Sequence, residues 1–173
     1  SLITSFKQVA VDQDSERRRT FDLAQTLHEV LDTLRPGLRL RPLQLEVDFC
    51  DAVAMDSFPG PLGQVVMNLV TNAVRYTPEG GTISISWIVS ASGAVFSVAD
   101  TGIGIDPIHL PRLTERFYRV DRGRSRDSGG TGLGLAIVKH SLSRHQATLD
   151  ISSKLGSGSV FSANFPSRRV VIL

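Results

Sequence analysis

Apolar positions recur along the chain with two different periods, and the period assigns most of the elements. Leu2, Ile3, Phe6, Val9 and Ala10 follow helical spacing and then give way to the charged stretch DQDSERRR, which predicts the end of a short N-terminal helix and a linker. FDLAQTLHEVLDTLRPG predicts a helix from Leu23 to Leu34, closed by Pro36 and Gly37. LQLEVDF, residues 43–49, alternates strictly and predicts a half-buried strand. A helix follows from Leu62 to Tyr76, ended by TPEGG, and then TISISWIV (82–89) and AVFSVAD (94–100) predict two strands across the Ser92-Gly93 turn. Residues Thr101 to Gly130 show little periodicity, although Leu110 to Phe117 predicts a short helix; loops of this length tend to be functional. LGLAIVKHSLSRH predicts a final helix, with TLDISS and SVFSANF as closing strands. The sum is an α+β, two-layer sandwich: a mixed sheet of about five strands with helices on one face.

Composition narrows the class without naming a chemistry. With 173 residues, 41% hydrophobic and 21% charged, one core plus an extension is the expectation. The net charge of +2 and two arginine clusters, Arg17 to Arg19 and Arg116 to Arg126, leave room for a phosphate partner but do not form a broad nucleic-acid footprint. Cys50 is the single cysteine, so no internal disulfide forms and a reducing, cytoplasmic setting is expected. No apolar run reaches the 18 or so residues a membrane span needs, so no direct membrane contact is expected, while a longer parent with an inner-membrane anchor stays compatible.

Three stretches then carry candidate chemistry. In NLVTNAVRYTPEGG, Asn68 and Asn72 interrupt an apolar helix, and at 100° per residue Asn68, Asn72 and Arg75 fall within about 60° of one another. A neutral amide oxygen suits Mg²⁺ beside phosphate oxygens, and Arg75 suits an anion; ordinary solvent-facing polar residues are the alternative. In VADTGIGID, Phe96, Val98 and Asp100 share a strand face, which brings the Asp100 carboxylate out half buried at its edge. A carboxylate there accepts from an adenine amine, and Gly102 and Gly104 would let a flat base approach the backbone; a plain Asp-Thr-Gly turn is the alternative. In GGTGLGLAIVKH, glycines 129, 130, 132 and 134 open into an apolar helix, a phosphate cradle or else a flexible turn. No βαβ unit surrounds it, and no Lys-Ser/Thr pair follows it, so it is neither a dinucleotide fingerprint nor a Walker loop.

Together these motifs resemble the ATP-binding catalytic domain of bacterial sensor histidine kinases, in the superfamily shared with gyrase, Hsp90-type chaperones and MutL. NLVTNA resembles the N box, DTGIGI the first glycine box, RFYR the F box, GGTGLGLAIVKH the second glycine box and GSGSVF the closing-strand motif. From HLPRLTERFYRVD onward the chain is most similar to phosphate-regulon sensor kinases. The resemblance implies a Bergerat-type ATP-binding fold over residues 19–167. It also implies that residues 1–18 are the tail of a dimerisation hairpin with its linker and that residues 168–173 are a C-terminal tail.

It further implies that Asn72 ligates Mg²⁺ with help from Asn68, that Arg75 touches phosphate and that Tyr76 packs on the nucleotide. Asp100 would read adenine, with Gly102, Gly104, Ile105 and Ser159 around the base. Residues Tyr118 to Gly129 would form an ATP lid hinged at Phe117, with Arg119 or Arg124 available to the γ-phosphate. Gly130, Thr131, Gly132, Leu133 and Gly134 would close over the phosphates.

Hydrolysing relatives carry a glutamate four residues before the metal-binding asparagine, where this chain has Asn68, and an amide is no general base at neutral pH. The implied function is therefore transfer of the γ-phosphate of Mg-ATP to a histidine on a phosphoacceptor domain, with a response regulator downstream. His28, His109, His140 and His145 lack the context of that acceptor. An ATP-hydrolysing clamp and a non-catalytic nucleotide-sensing module remain as alternatives, distinguished by steady ATP turnover and by failure to bind Mg-ATP.

Overall fold

The computed structural model describes residues 17–49, 53–120 and 132–172. The expected N-terminal helical extension falls on residues 1–16, outside the described residues. Strand β1 (Arg19–Asp22) leads into helix α1 (Leu23–Arg39), strands β2 (Gln44–Phe49) and β3 (Val53–Ser57), and helix α2 (Pro59–Tyr76). Strands β4 (Thr82–Ser90) and β5 (Gly93–Asp100) follow, then a 3-10 turn (Pro107–Arg112). Helix α3 (Gly134–Arg144), strands β6 (Thr148–Lys154) and β7 (Gly158–Pro166), a second 3-10 turn (Ser167–Arg169) and strand β8 (Val170–Ile172) complete it.

The expected sheet is present: five strands in the order β2-β4-β5-β7-β6, with β2 parallel to β4 and the other pairs antiparallel. Period-two alternation sends Ile83, Ile85 and Trp87 of β4, Phe96 and Val98 of β5, and Phe161, Ala163 and Phe165 of β7 into one core. The helices meet them with Leu23, Leu27 and Leu31 from α1, Leu62, Val65, Val66, Leu69 and Ala73 from α2, and Val138 and Leu142 from α3. Each large aliphatic side chain so buried contributes about 1.5–3 kcal/mol. The other face of the sheet stays polar, with Ser97 and Ser162 joined across β5 and β7 at 3.0 Å and Ser84 donating to Glu46 at 3.1 Å.

Two expected boundaries are corrected. Helix α1 does not stop at Leu34 but runs through Pro36 and Gly37 to Arg39. Proline forfeits only one backbone bond, and Leu34 and Leu38 extend the buried stripe onto Val70 and Val74 of α2, around an apolar notch of about 160 Å³ that Gly37 also lines. The helix expected from Leu110 to Phe117 is instead the 3-10 turn Pro107–Arg112, since Pro111 has no amide to donate and Phe117 takes a left-handed φ of 65°.

A second, three-stranded sheet, β1-β3-β8, was not expected at all. It pairs Arg19–Asp22 with Ser57–Ala54 and returns Val170–Ile172 to the other edge of β3. His145, the C-cap of α3, ties this sheet to the core: its Nδ1 hydrogen-bonds the Ser57 hydroxyl, and its ring meets Phe58 and Phe165 edge-on. It is completely buried, and burial together with Arg169 and Arg144 pushes its pKa down to about 4, so it stays neutral near pH 7.

Candidate nucleotide site

A cleft of about 970 Å³ opens between α2, the loop after β5 and the start of α3. Its floor is set by Asp100, the last residue of β5, which lies in register opposite Ile83 on β4 and Ser159 on β7. Phe96 and Val98 are fully buried on the same strand face and Asp100 is half buried, as the alternation predicts. Its Oδ1 accepts the Gly102 amide at 2.9 Å. Burial pushes the carboxyl above the usual carboxylate range, an effect that backbone N–H groups at Gly102 and Ser159 partly offset.

The loop that follows is stitched into place from three sides. The Ile103 amide donates to the Tyr76 carbonyl at the end of α2, the Ile105 amide to the Ser153 hydroxyl, and the Gly156 amide back to the Ile103 carbonyl. Here the glycines also serve the chain's own packing. A Cβ on Gly102 would lie 2.3 Å from the Tyr76 carbonyl oxygen, and one on Gly104, at φ +70°, would lie 2.1 Å from the Lys154 carbonyl oxygen. Their first requirement is close approach of the chain to itself; Gly104 lines the cleft, whereas Gly102 is buried and outside the lining.

Asn68, Asn72, Arg75 and Tyr76 all line the α2 wall, so the stripe drawn from helical spacing faces the cleft. The Asn68 Nδ2 donates to the Gln64 carbonyl at 2.9 Å, which leaves Oδ1 as the acceptor, turned toward Gly134 at the first turn of α3. A Cβ on Gly134 would sit 3.4 Å from that oxygen, so glycine keeps the space between amide and helix N-terminus open. Gly132 (φ +76°), Leu133 and Gly134 line this end together with Arg119. Ile105 and the buried Ser159 line the base end, the Ser159 hydroxyl paired with Ser153 at 2.8 Å.

Phe117 is not in the lining. It is 68% exposed, and its amide donates to the Gly132 carbonyl at 2.9 Å, which brings the two ends of the intervening segment together. Arg124, Gly130 and Thr131 lie outside the described residues.

Four further residues belong to the lining. Phe161 follows Ser159 by period two; Ile103 lies between the two glycines of DTGIGI; Ile137 lies on the expected helix α3; Leu113 comes from a loop where no period marks it.

The donor set fits a magnesium-bridged nucleotide. Among the described residues no group of three or more His, Cys, Asp or Glu side chains could hold a metal ion by itself. Two neutral amide oxygens beside cationic side chains suit a hard cation that takes most of its ligands from phosphates and water.

The model of the histidine kinase-, DNA gyrase B- and HSP90-like ATPase family matches residues 59–169, which span α2, the cleft loop and α3. The chain belongs to this ATPase family. It is 54% identical over 127 residues to the phosphate regulon sensor protein PhoR of Pseudomonas aeruginosa, covering 73% of this chain and 29% of that protein. Over 172 residues it is 33% identical to the circadian input-output histidine kinase CikA of Synechococcus elongatus, covering 98% of this chain and 23% of that one. The chain thus spans less than a third of the length of these relatives. Among solved structures of the ATPase family's kinase members, the mycobacterial sensor histidine kinase MprB superposes with a TM-score of 0.76 at 25% identity, covering 88% of this chain and 99% of that chain. ShkA, full-length in complex with AMPPNP, superposes with a TM-score of 0.75 at 26% identity, covering 90% of this chain and 32% of that one.

Proposed function

We propose that this ATPase-family chain binds Mg-ATP in the cleft and donates the γ-phosphate to a histidine on a dimerisation domain of its parent protein, as the catalytic part of a two-component sensor kinase. The observation that carries the reading is that the Asn68 amide oxygen is turned toward Gly134 at the α3 N-terminus, where a hydrolase would need a base. An amide there binds and orients but takes no proton from water. The carboxylates lining the cleft among the described residues are Asp100, held by its own loop at the base end, and Glu79, on the turn after α2.

Asp100 accepts the adenine amine, and Ile103, Ile105 and Ser159 frame the base. Asn72 holds Mg²⁺, with Asn68 beside it or on one of its waters. The ion, when bound, neutralises charge on the phosphate oxygens. Arg75 and Arg119 supply the cationic clamp, and the N–H groups at the start of α3 face the phosphates. Arg124, Gly130 and Thr131 belong to the same phosphate end.

No histidine lines the cleft among the described residues, which supports an acceptor outside this chain's own fold. His28 is exposed on α1 against Phe49, His140 is exposed on α3, His145 is buried and His109 is engaged by Tyr118. The same proposal takes residues 1–18 as the tail of the hairpin that carries the acceptor, and places a response regulator downstream in the cytoplasm. No helix among the described residues is long and apolar enough to cross a membrane.

The test mixes this chain with γ-labelled ATP, Mg²⁺ and a separate histidine-bearing hairpin domain. Label should move to the hairpin in trans, with little release of free phosphate. Steady phosphate release without labelled hairpin would overturn the reading.

A further inference from the structure

One polar cluster at the rim of the cleft has no part in the reading above. The 3-10 turn Pro107–Arg112 is capped by Asp106, whose Oδ1 accepts the Ile108 amide at 3.0 Å, and it continues directly from the base-end loop Ile103–Ile105. It presents two side chains to Tyr118. His109 Nδ1 hydrogen-bonds the Tyr118 hydroxyl, with the rings 5.9 Å apart, and the Arg112 guanidinium lies 4.5 Å from the Tyr118 ring centroid. Arg112 is itself held by Glu115 at 3.2 Å. Tyr118 lines the cleft, one residue after the left-handed Phe117 whose amide is fixed to Gly132.

We propose that His109 is a positioning residue for the nucleotide: with Arg112 it holds the Tyr118 ring as a ready-made wall of the cleft, joining the base-end loop to the phosphate end. The proposal rests on the Mg-ATP reading of the site. An aromatic side chain that is ordered only on binding weakens affinity by about two- to tenfold, and this clamp removes that cost beforehand. The hydrogen bond runs through Nδ1 in either tautomer, as acceptor of the phenol proton or as donor to the phenol oxygen. Asparagine places an amide atom where Nδ1 stands, and leucine places none.

Calorimetric titration of the full chain with Mg-ATP, alongside thermal melting of each variant, tests it. His109→Leu and Tyr118→Phe should each weaken Mg-ATP binding about three- to tenfold, the double variant should be no weaker than either single one, and His109→Asn should return to within about twofold of the parent. A purely structural role would lower the melting temperature and leave affinity unchanged. Tyr118→Phe removes only a hydroxyl, so it carries the test if His109→Leu does not fold. Parent-like affinity in both single variants, or full additivity in the double, overturns the positioning role while the nucleotide site stands. A parent chain that does not bind Mg-ATP overturns the site itself and the positioning role with it.

Discussion

At the base end of the cleft, a Cβ on Gly102 or Gly104 would lie only 2.3 or 2.1 Å from the chain's own carbonyl oxygens; at the phosphate end, a Cβ on Gly134 would lie 3.4 Å from the Asn68 oxygen, an ordinary contact. Both are glycine boxes in sequence, yet one is a joint and the other an opening. The base end is rigid because the loop is bonded to α2 and to the β6–β7 hairpin. At the phosphate end, the Phe117 amide meets the Gly132 carbonyl and the Ile137 amide closes the first turn of α3 on the Leu133 carbonyl. The difference teaches that glycine content alone does not locate ligand contacts: the backbone's own close approaches must be subtracted first.

Substitutions can break this contrast. The largest expected effect is on ligand binding at the open end: Asn72→Ala should weaken Mg-dependent ATP binding by about 100-fold or more with little change in melting, checked by calorimetry with and without Mg²⁺. At the closed end the loss should appear as stability instead. Gly104→Ala combines a left-handed φ with a clash against backbone, and should cost about 3 kcal/mol in urea unfolding even without nucleotide.

The same logic reaches the far end of α3, where His145 anchors the frame. Its folded pKa of about 4 lies below the ordinary 6.5, so the unfolded chain takes up the proton first. The stability it contributes is fully present above pH 6.5 and is lost as pH falls from 6.5 toward 4, by about 3 kcal/mol over that window. Unfolding free energies between pH 4 and 8 should show this limb in the parent and lack it in His145→Gln.

Two smaller effects sharpen the comparison. Asp100→Asn should reduce the preference for ATP over GTP by about tenfold, read from competition titrations, because the amide can turn a donor toward a guanine carbonyl. Gly134→Ala, in a helical conformation where the new Cβ makes only an ordinary 3.4 Å contact with Asn68, should leave folding unchanged or stabilised by up to about 1 kcal/mol while weakening nucleotide binding.

Much of this frame was readable beforehand because it is periodic. The strands β4, β5, β6 and β7 alternate cleanly, and helical spacing alone puts Asn68, Asn72 and Arg75 of α2 on one wall, where the cleft has them. The small sheet was not readable: β1, β3 and β8 are four, five and three residues long, too short for a period to emerge, and they gain meaning only when paired. The burial of His145 has no sequence mark, since nothing local points to the Ser57 hydroxyl 88 positions away as its partner. Leu113 is invisible as lining for the same reason, because its position comes from loop geometry rather than pattern.

The most direct measurement is a crystal structure of the chain soaked with Mg²⁺ and a non-hydrolysable ATP analogue. The account predicts the metal about 2.0–2.1 Å from the Asn72 amide oxygen, phosphates between Asn68 and the first turn of α3, and the adenine amine within hydrogen-bond reach of Asp100. A nucleotide bound elsewhere, or seated in the cleft with its base away from Asp100 and no metal at Asn72, would contradict it.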